Sequence, residues 1–197
     1  MNRTGPTALL LLLATLFTAT PALGQGQIEL DGDRQRRLLR AMDSAQGCPS
    51  GSFLRNMDPN IDSVLVNLLN DKDTPLQYRL YAVDCLGSFT NKRSIQVLSS
   101  LLNDPTWDKM YRLRAMAAAA RAMGAEVLGP LKEACNDRDA ETRAAAARAI
   151  GWINVPRARS FLKHLKLREQ DPMVLEAITE ALKRIPKDPL RPMETGI

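Results

Sequence analysis

The chain has 197 residues, enough for one domain with a substantial core, and carries a formal charge of +5, one histidine and three cysteines. That modest positive excess falls short of the dense basic stripe of a nucleic-acid binder, so no nucleic acid is expected and only a weak preference for acidic partners is supported. The cysteines show no CxxC spacing and the lone histidine has no imidazole companion, so neither a metal site nor a cofactor is expected.

Residues 1–24 read as a signal peptide. Asn2 and Arg3 form a short basic start, Ala8 to Phe17 an apolar core around Leu9 to Leu13, and Pro21-Ala22-Leu23-Gly24 a small-residue exit with cleavage before Gln25. About ten apolar residues are too few for a bilayer that needs roughly twenty. No later segment is long and apolar enough to span, so the product is expected to be exported, periplasmic or secreted, without membrane insertion after cleavage. Residues 25–32 are expected to be a loose segment.

From residue 33 onward the pattern is helical. First helices of successive units are expected at 33–46, 75–87, 106–123, 140–152 and 173–185. Second helices are expected at 60–70, 93–103, 126–136 and 156–168. Four starts place a capping oxygen before proline: Asp58-Pro59, Thr74-Pro75, Asp104-Pro105 and Asp171-Pro172. Gly129-Pro130 predicts a kink or late start in the helix at 126–136. The tail at 186–197, with prolines at 186, 189 and 192, is expected to trail as an extended end.

These elements repeat. Asn70-Asp71, Asn103-Asp104, Asn136-Asp137 and Gln170-Asp171 recur 33, 33 and 34 residues apart, a period that marks a stacked repeat. Val64-Leu65-x-x-Leu68-Leu69 ahead of the first step returns as Val97-Leu98-x-x-Leu101-Leu102, and loosely as Pro130-Leu131-x-x-Ala134-Cys135. Apolar residues at i, i+1, i+4 and i+5 form one broad helical stripe. The first helices carry Ala117 to Ala120-Arg121-Ala122-Met123-Gly124 and Ala144 to Ala147-Arg148-Ala149-Ile150-Gly151. Alanine runs let helices approach closely, and the closing glycine, with Gly87 in the corresponding place of a weaker copy over Leu80 to Gly87, is the expected C′ residue of a helix end.

Thr74-Pro75-Leu76 briefly resembles an ankyrin opening, but Gln77 stands where that motif has His and no other unit repeats it. The tetratricopeptide landmarks are absent. Asp139-x-x-x-Arg143 followed by Ala144 to Gly151 resembles the HEAT-like repeats named after phycobilisome lyases, over roughly residues 58 to 186. The resemblance implies an all-α fold, an α-solenoid of stacked antiparallel helix pairs with about four repeats and a terminal helix, spanning 33–185. It also implies that the first helices line the convex side and the second helices the concave side. The group includes bilin lyases and the iron-dependent deoxyhypusine hydroxylase. The hydroxylase needs repeated His-Glu pairs as metal ligands, whereas the only histidine here, His164, is followed by Leu165, which excludes a diiron centre.

The functional expectation is a non-catalytic scaffold or adaptor of the periplasm or cell envelope, because repeat stacks build elongated surfaces rather than pockets. The alternative is a bilin-lyase-like or chaperone-like activity on a partner protein. Asn67, Gln96, Ser99, Lys132, Lys163 and His164 point away from the apolar stripes and are the candidate partner-binding residues, with a protein or peptide as the partner. His164 lies among Arg157, Arg159, Lys163 and Lys166, and this group forms either a cationic edge or an ordinary wet helix face. Side-by-side first helices predict ion pairs Asp84–Arg121 and Arg148–Glu180. The same stacking makes neighbours of the helix ends carrying Cys48 and Cys85, which predicts a disulfide closing a loop of about 37 residues. Cys135 falls on an apolar stripe as a buried free thiol, and the aromatics, Trp107 and Trp152 among them, are expected to serve in packing.

Overall fold

The computed structural model describes residues 23–186. The signal-peptide reading, apart from its last two residues, and the proline-rich tail beyond Pro186 lie outside that range. Among the described residues the fold is all-helical: α1 (Leu23–Ala45), α2 (Gly51–Met57), α3 (Ile61–Asn70), α4 (Leu76–Leu86), α5 (Lys92–Asn103) and α6 (Lys109–Met123) come first. A 3-10 turn (Gly124–Val127) leads into α7 (Leu128–Ala134), followed by α8 (Ala140–Ile150), α9 (Pro156–Arg168) and α10 (Pro172–Arg184).

The helices form an α-solenoid. The first helices α4, α6, α8 and α10 stack in one layer, and each also packs on the second helix that precedes it, in the pairs α3–α4, α5–α6, α7–α8 and α9–α10. The closest inter-repeat packing is therefore in the alanine-rich layer, where Ala118, Ala119, Ala144, Ala147, Ala177 and Ala181 are buried. The second helices contribute the larger side chains, Leu65, Leu68, Leu98, Leu101, Leu131 and Leu162, to a single continuous core. Small residues in one layer and leucines in the other set the helix separations, because interaxial distance follows side-chain size.

The periodic Asn-Asp step has a local cause. Each Asp carboxylate accepts the backbone N–H two residues on: Asp73 to Asp71 at 3.0 Å, Thr106 to Asp104 at 2.9 Å, Asp139 to Asp137 at 2.8 Å and Met173 to Asp171 at 2.9 Å. The preceding Asn70 and Asn136 amides donate back to Val66 and Lys132 carbonyls, closing the ends of α3 and α7. The repeat thus marks a turn built from side-chain oxygens that compete with the helix for backbone groups.

Several expectations need correction. Residues 25–32 lie inside α1. The seven-residue α2 has no counterpart in the sequence pattern, because it is too short to show a period and buries only Leu54. Of the four oxygen-before-proline starts, only Asp171-Pro172 caps a helix directly; Asp104 caps a turn, and Asp108 caps α6 three residues after the expected start at 106. The helix expected at 126–136 is shortened to α7 by the 3-10 turn before Leu128. Gly87 and Gly151 have right-handed φ values of −64° and −61°. Their role is contact: a Cβ on Gly87 would lie 2.7 Å from the Ala118 Cα, and one on Gly151 would lie 2.8 Å from the Ala181 Cα. Gly124, with φ +57° and ψ −124°, closes α6 in a backbone conformation that favours glycine.

Candidate protein-interaction surface

The candidate binding residues sit on α3, α5, α7 and α9. Asn67, Gln96, Lys163 and His164 are exposed, as their place opposite the leucine stripes dictates. Ser99 and Lys132 are half-buried and serve inter-repeat contacts. Ser99 Oγ lies 4.0 Å from Met123 Sδ, and the Lys132 ammonium stands 5.1 Å from the centre of the Phe161 ring on the next second helix.

The cations around His164 divide into two kinds. Arg159 donates to the carbonyls of Leu182 and Ile185, where it closes the C-terminal end of α10, and Lys166 donates to Thr179 Oγ1 at 3.0 Å. Both are structural. Arg157, Lys163 and His164 are exposed and have no side-chain partner among the described residues, so the free positive edge of the last repeat is smaller than the sequence implied.

The first-helix ends carry a second ladder. The expected Arg148–Glu180 pair is present at 3.9 Å. The expected Asp84–Arg121 pair is rearranged: the Asp84 carboxylate pairs with Arg114 at 2.8 Å, while Arg121 donates to the Asp84 backbone carbonyl at 2.9 Å. Arg114 lies seven residues, about two helical turns, before Arg121 on α6, and Arg121 instead adds a second hydrogen bond to a carbonyl at the end of α4 that also accepts the Gly87 N–H. Burial pushes the Asp84 carboxyl up, and the charges of Arg114 and Arg121 pull it back.

Arg121 and Arg184 both stack on Trp152, with guanidinium carbons 5.6 and 4.4 Å from the ring centre. Trp152 itself is 45% exposed. The tryptophan expected to serve only in packing is thus an accessible aromatic held between two arginines. Its position directly after the closing Gly151 was the sequence signal for it, since the residue there leaves the helix end facing solvent. Trp107 packs edge-on against the buried Tyr111.

Cys48 and Cys85 are disulfide-bonded with Cα atoms 5.2 Å apart, and the bond ties the loop between α1 and α2 to α4. Cys135 is a buried free thiol whose pKa burial pushes up to about 12. Among the described residues no group of three or more His, Cys, Asp or Glu side chains could hold a metal ion, and no helix is long and apolar enough to cross a membrane.

Stacked helix pairs with a small-residue layer, an apolar layer and an Asp turn at each repeat define an α-solenoid of HEAT-like repeats. Residues 106–183, from the turn before α6 to the last turn of α10, match the family of HEAT repeats. No curated protein matches the chain. HEAT repeats commonly serve as scaffolds for protein interaction, which directs attention to surfaces rather than to a reactive centre.

Proposed function

We propose that this protein is a non-catalytic scaffold of the periplasm or cell envelope that binds an extended protein or peptide segment along its second-helix face. One observation carries the reading: four successive second helices turn polar side chains outward, and Asn67, Gln96, Lys163 and His164 among them stay exposed while the leucines behind them are buried. A row of such residues acts by complementarity and requires no chemical step. Arg157 and Lys163, exposed on α9 with no side-chain partner among the described residues, give an acidic segment a preferred direction along the row.

The compartment rests on residues 1–24, read as a signal peptide, and on the Cys48–Cys85 bond, which persists in oxidising surroundings. The segment from Asp139 to Gly151 favours the phycobilisome-lyase type within the HEAT repeats. The test is affinity capture from envelope extract with the native protein and with a Lys163→Glu, Gln96→Ala variant. The native protein is expected to retain one stoichiometric protein, whose affinity drops about tenfold or more in the variant. Equal retention by both would remove the second-helix face from consideration.

A further inference from the structure

The N-terminal end of the solenoid carries a groove of about 860 Å³ between α1 and α2. Ala41, Ala45, Pro49, Phe53 and Met57 give it an apolar floor, and Arg37 and Arg40 stand along one rim. Phe53 is 51% exposed, although it is the largest side chain in the lining. On α1 the floor residues Ala41 and Ala45 lie opposite Asp43, which accepts the Tyr78 hydroxyl of α4 at 2.6 Å, while Arg40 stands one turn before Asp43. The groove therefore occupies the side of α1 away from the stack, where a preceding repeat would pack. Its far wall is fixed, because the Cys48–Cys85 bond and the Arg55 donation to the Ser88 carbonyl hold the start of α2 against the end of α4.

We infer that this groove docks an amphipathic helix from a different protein, with an apolar stripe for Phe53 and acidic residues for Arg37 and Arg40. The charges select that occupant. Arg37 and Arg40 have no partner among the described residues, while the carboxylates nearby are engaged: Asp33 by Arg36, Asp58 by Arg34 and Asp43 by Tyr78. A second copy fits poorly. Two N-terminal ends joined about a two-fold axis would set Arg37 and Arg40 against themselves.

The test uses the purified full chain and two synthetic helical peptides with the same Leu/Ala stripe, one flanked by glutamates and one by lysines. Fluorescence anisotropy is expected to show the glutamate peptide binding on the order of tenfold more tightly. Phe53→Asp, at an exposed position that leaves the melting temperature in place, abolishes binding. The double change Arg37→Glu, Arg40→Glu reverses the preference toward the lysine peptide. Equal affinity for both peptides, or for neither, overturns the inference. So does self-association in sedimentation that Phe53→Asp abolishes, which would assign the groove to a second copy. Peptide binding that appears only after removal of residues 1–24 would assign it to the chain's own leader and overturn it equally.

Discussion

Arg143 on α8 holds Glu169, just before α10, through two hydrogen bonds of 2.9 and 3.1 Å, with only 18% and 9% of the two side chains exposed. Glu169 also accepts the backbone N–H groups of Gln170 and Asp171, so one carboxylate joins α8 to the entry of the terminal helix. The equivalent arginines of the two preceding repeats, Arg112 and Arg79, lack such a partner, because Cys135 and Leu102 stand where Glu169 does. Their Nε atoms are buried without a hydrogen bond. The same register position is thus satisfied in the last repeat and left open in the two before it.

That contrast predicts responses of different size to the same substitution. Arg143→Met strands a nearly buried carboxylate and is expected to cost about 2–3 kcal/mol, the worth of hydrogen bonds to a charged group. Arg112→Met removes a donor that already lacks an acceptor and keeps the aliphatic stem, so it is expected to change stability by less than about 1 kcal/mol. Urea denaturation of both variants measures this, and equal losses would refute the assignment.

The pair also sets an acid limit. Arg143 holds the Glu169 carboxyl down to about 2 from its ordinary 4.5. A carboxylate with a depressed folded-state pKa contributes fully above its unfolded value and loses that contribution as pH falls toward the folded one. Stability is therefore expected to decline between about pH 4.5 and 2, and Glu169→Gln should flatten that part of the profile. The measurement is the urea midpoint against pH for both proteins. An unchanged slope in the variant would mean other carboxylates carry the acid sensitivity.

Gly87 and Gly151 sit where neighbouring first helices approach closely. At right-handed φ values neither needs glycine for its backbone, so Gly→Ala tests packing alone. A methyl group at 2.7–2.8 Å from a neighbouring Cα has no flexible side chain to displace and must part the helices. Each change is expected to cost about 1–3 kcal/mol, in the range of overpacked cores. A stabilised variant would show that the layer opens freely.

The repeat, its period and its two helix layers were legible because turns and stripes are local features, and the positions of most helices followed from them. What was hidden came from pairings across repeats. Register arguments placed Arg121 beside Asp84 and the structure does bring them together, but rotamer reach decided that Arg114 takes the carboxylate and Arg121 the carbonyl. The same limit applies to the surface: exposure of Asn67, Gln96, Lys163 and His164 follows from helical period, whereas the engagement of Lys132 with Phe161 depends on the neighbouring helix. The helix α2 left no trace because seven residues with one buried side chain carry no periodicity, and with it the N-terminal groove was invisible.

Cysteine chemistry gives the last prediction a countable readout. The Cys48–Cys85 bond closes a 37-residue separation, for which loop entropy predicts roughly 3–4 kcal/mol of stabilisation. Cys135 is buried with its pKa raised to about 12, so at pH 8 it is almost entirely thiol and shielded from reagent. Titration with a chromogenic disulfide reagent is expected to find essentially no reactive thiol in the native protein and one after denaturation without reductant. After reduction in denaturant, all three cysteines of the chain should react. Cys48→Ser should lower stability by the loop-entropy amount. It should also expose Cys85 no faster than Cys135, since both lie in the core. Two or more reactive thiols in the native protein would mean that the Cys48–Cys85 bond is not formed, and the wall it gives the groove between α1 and α2 would lack that tie.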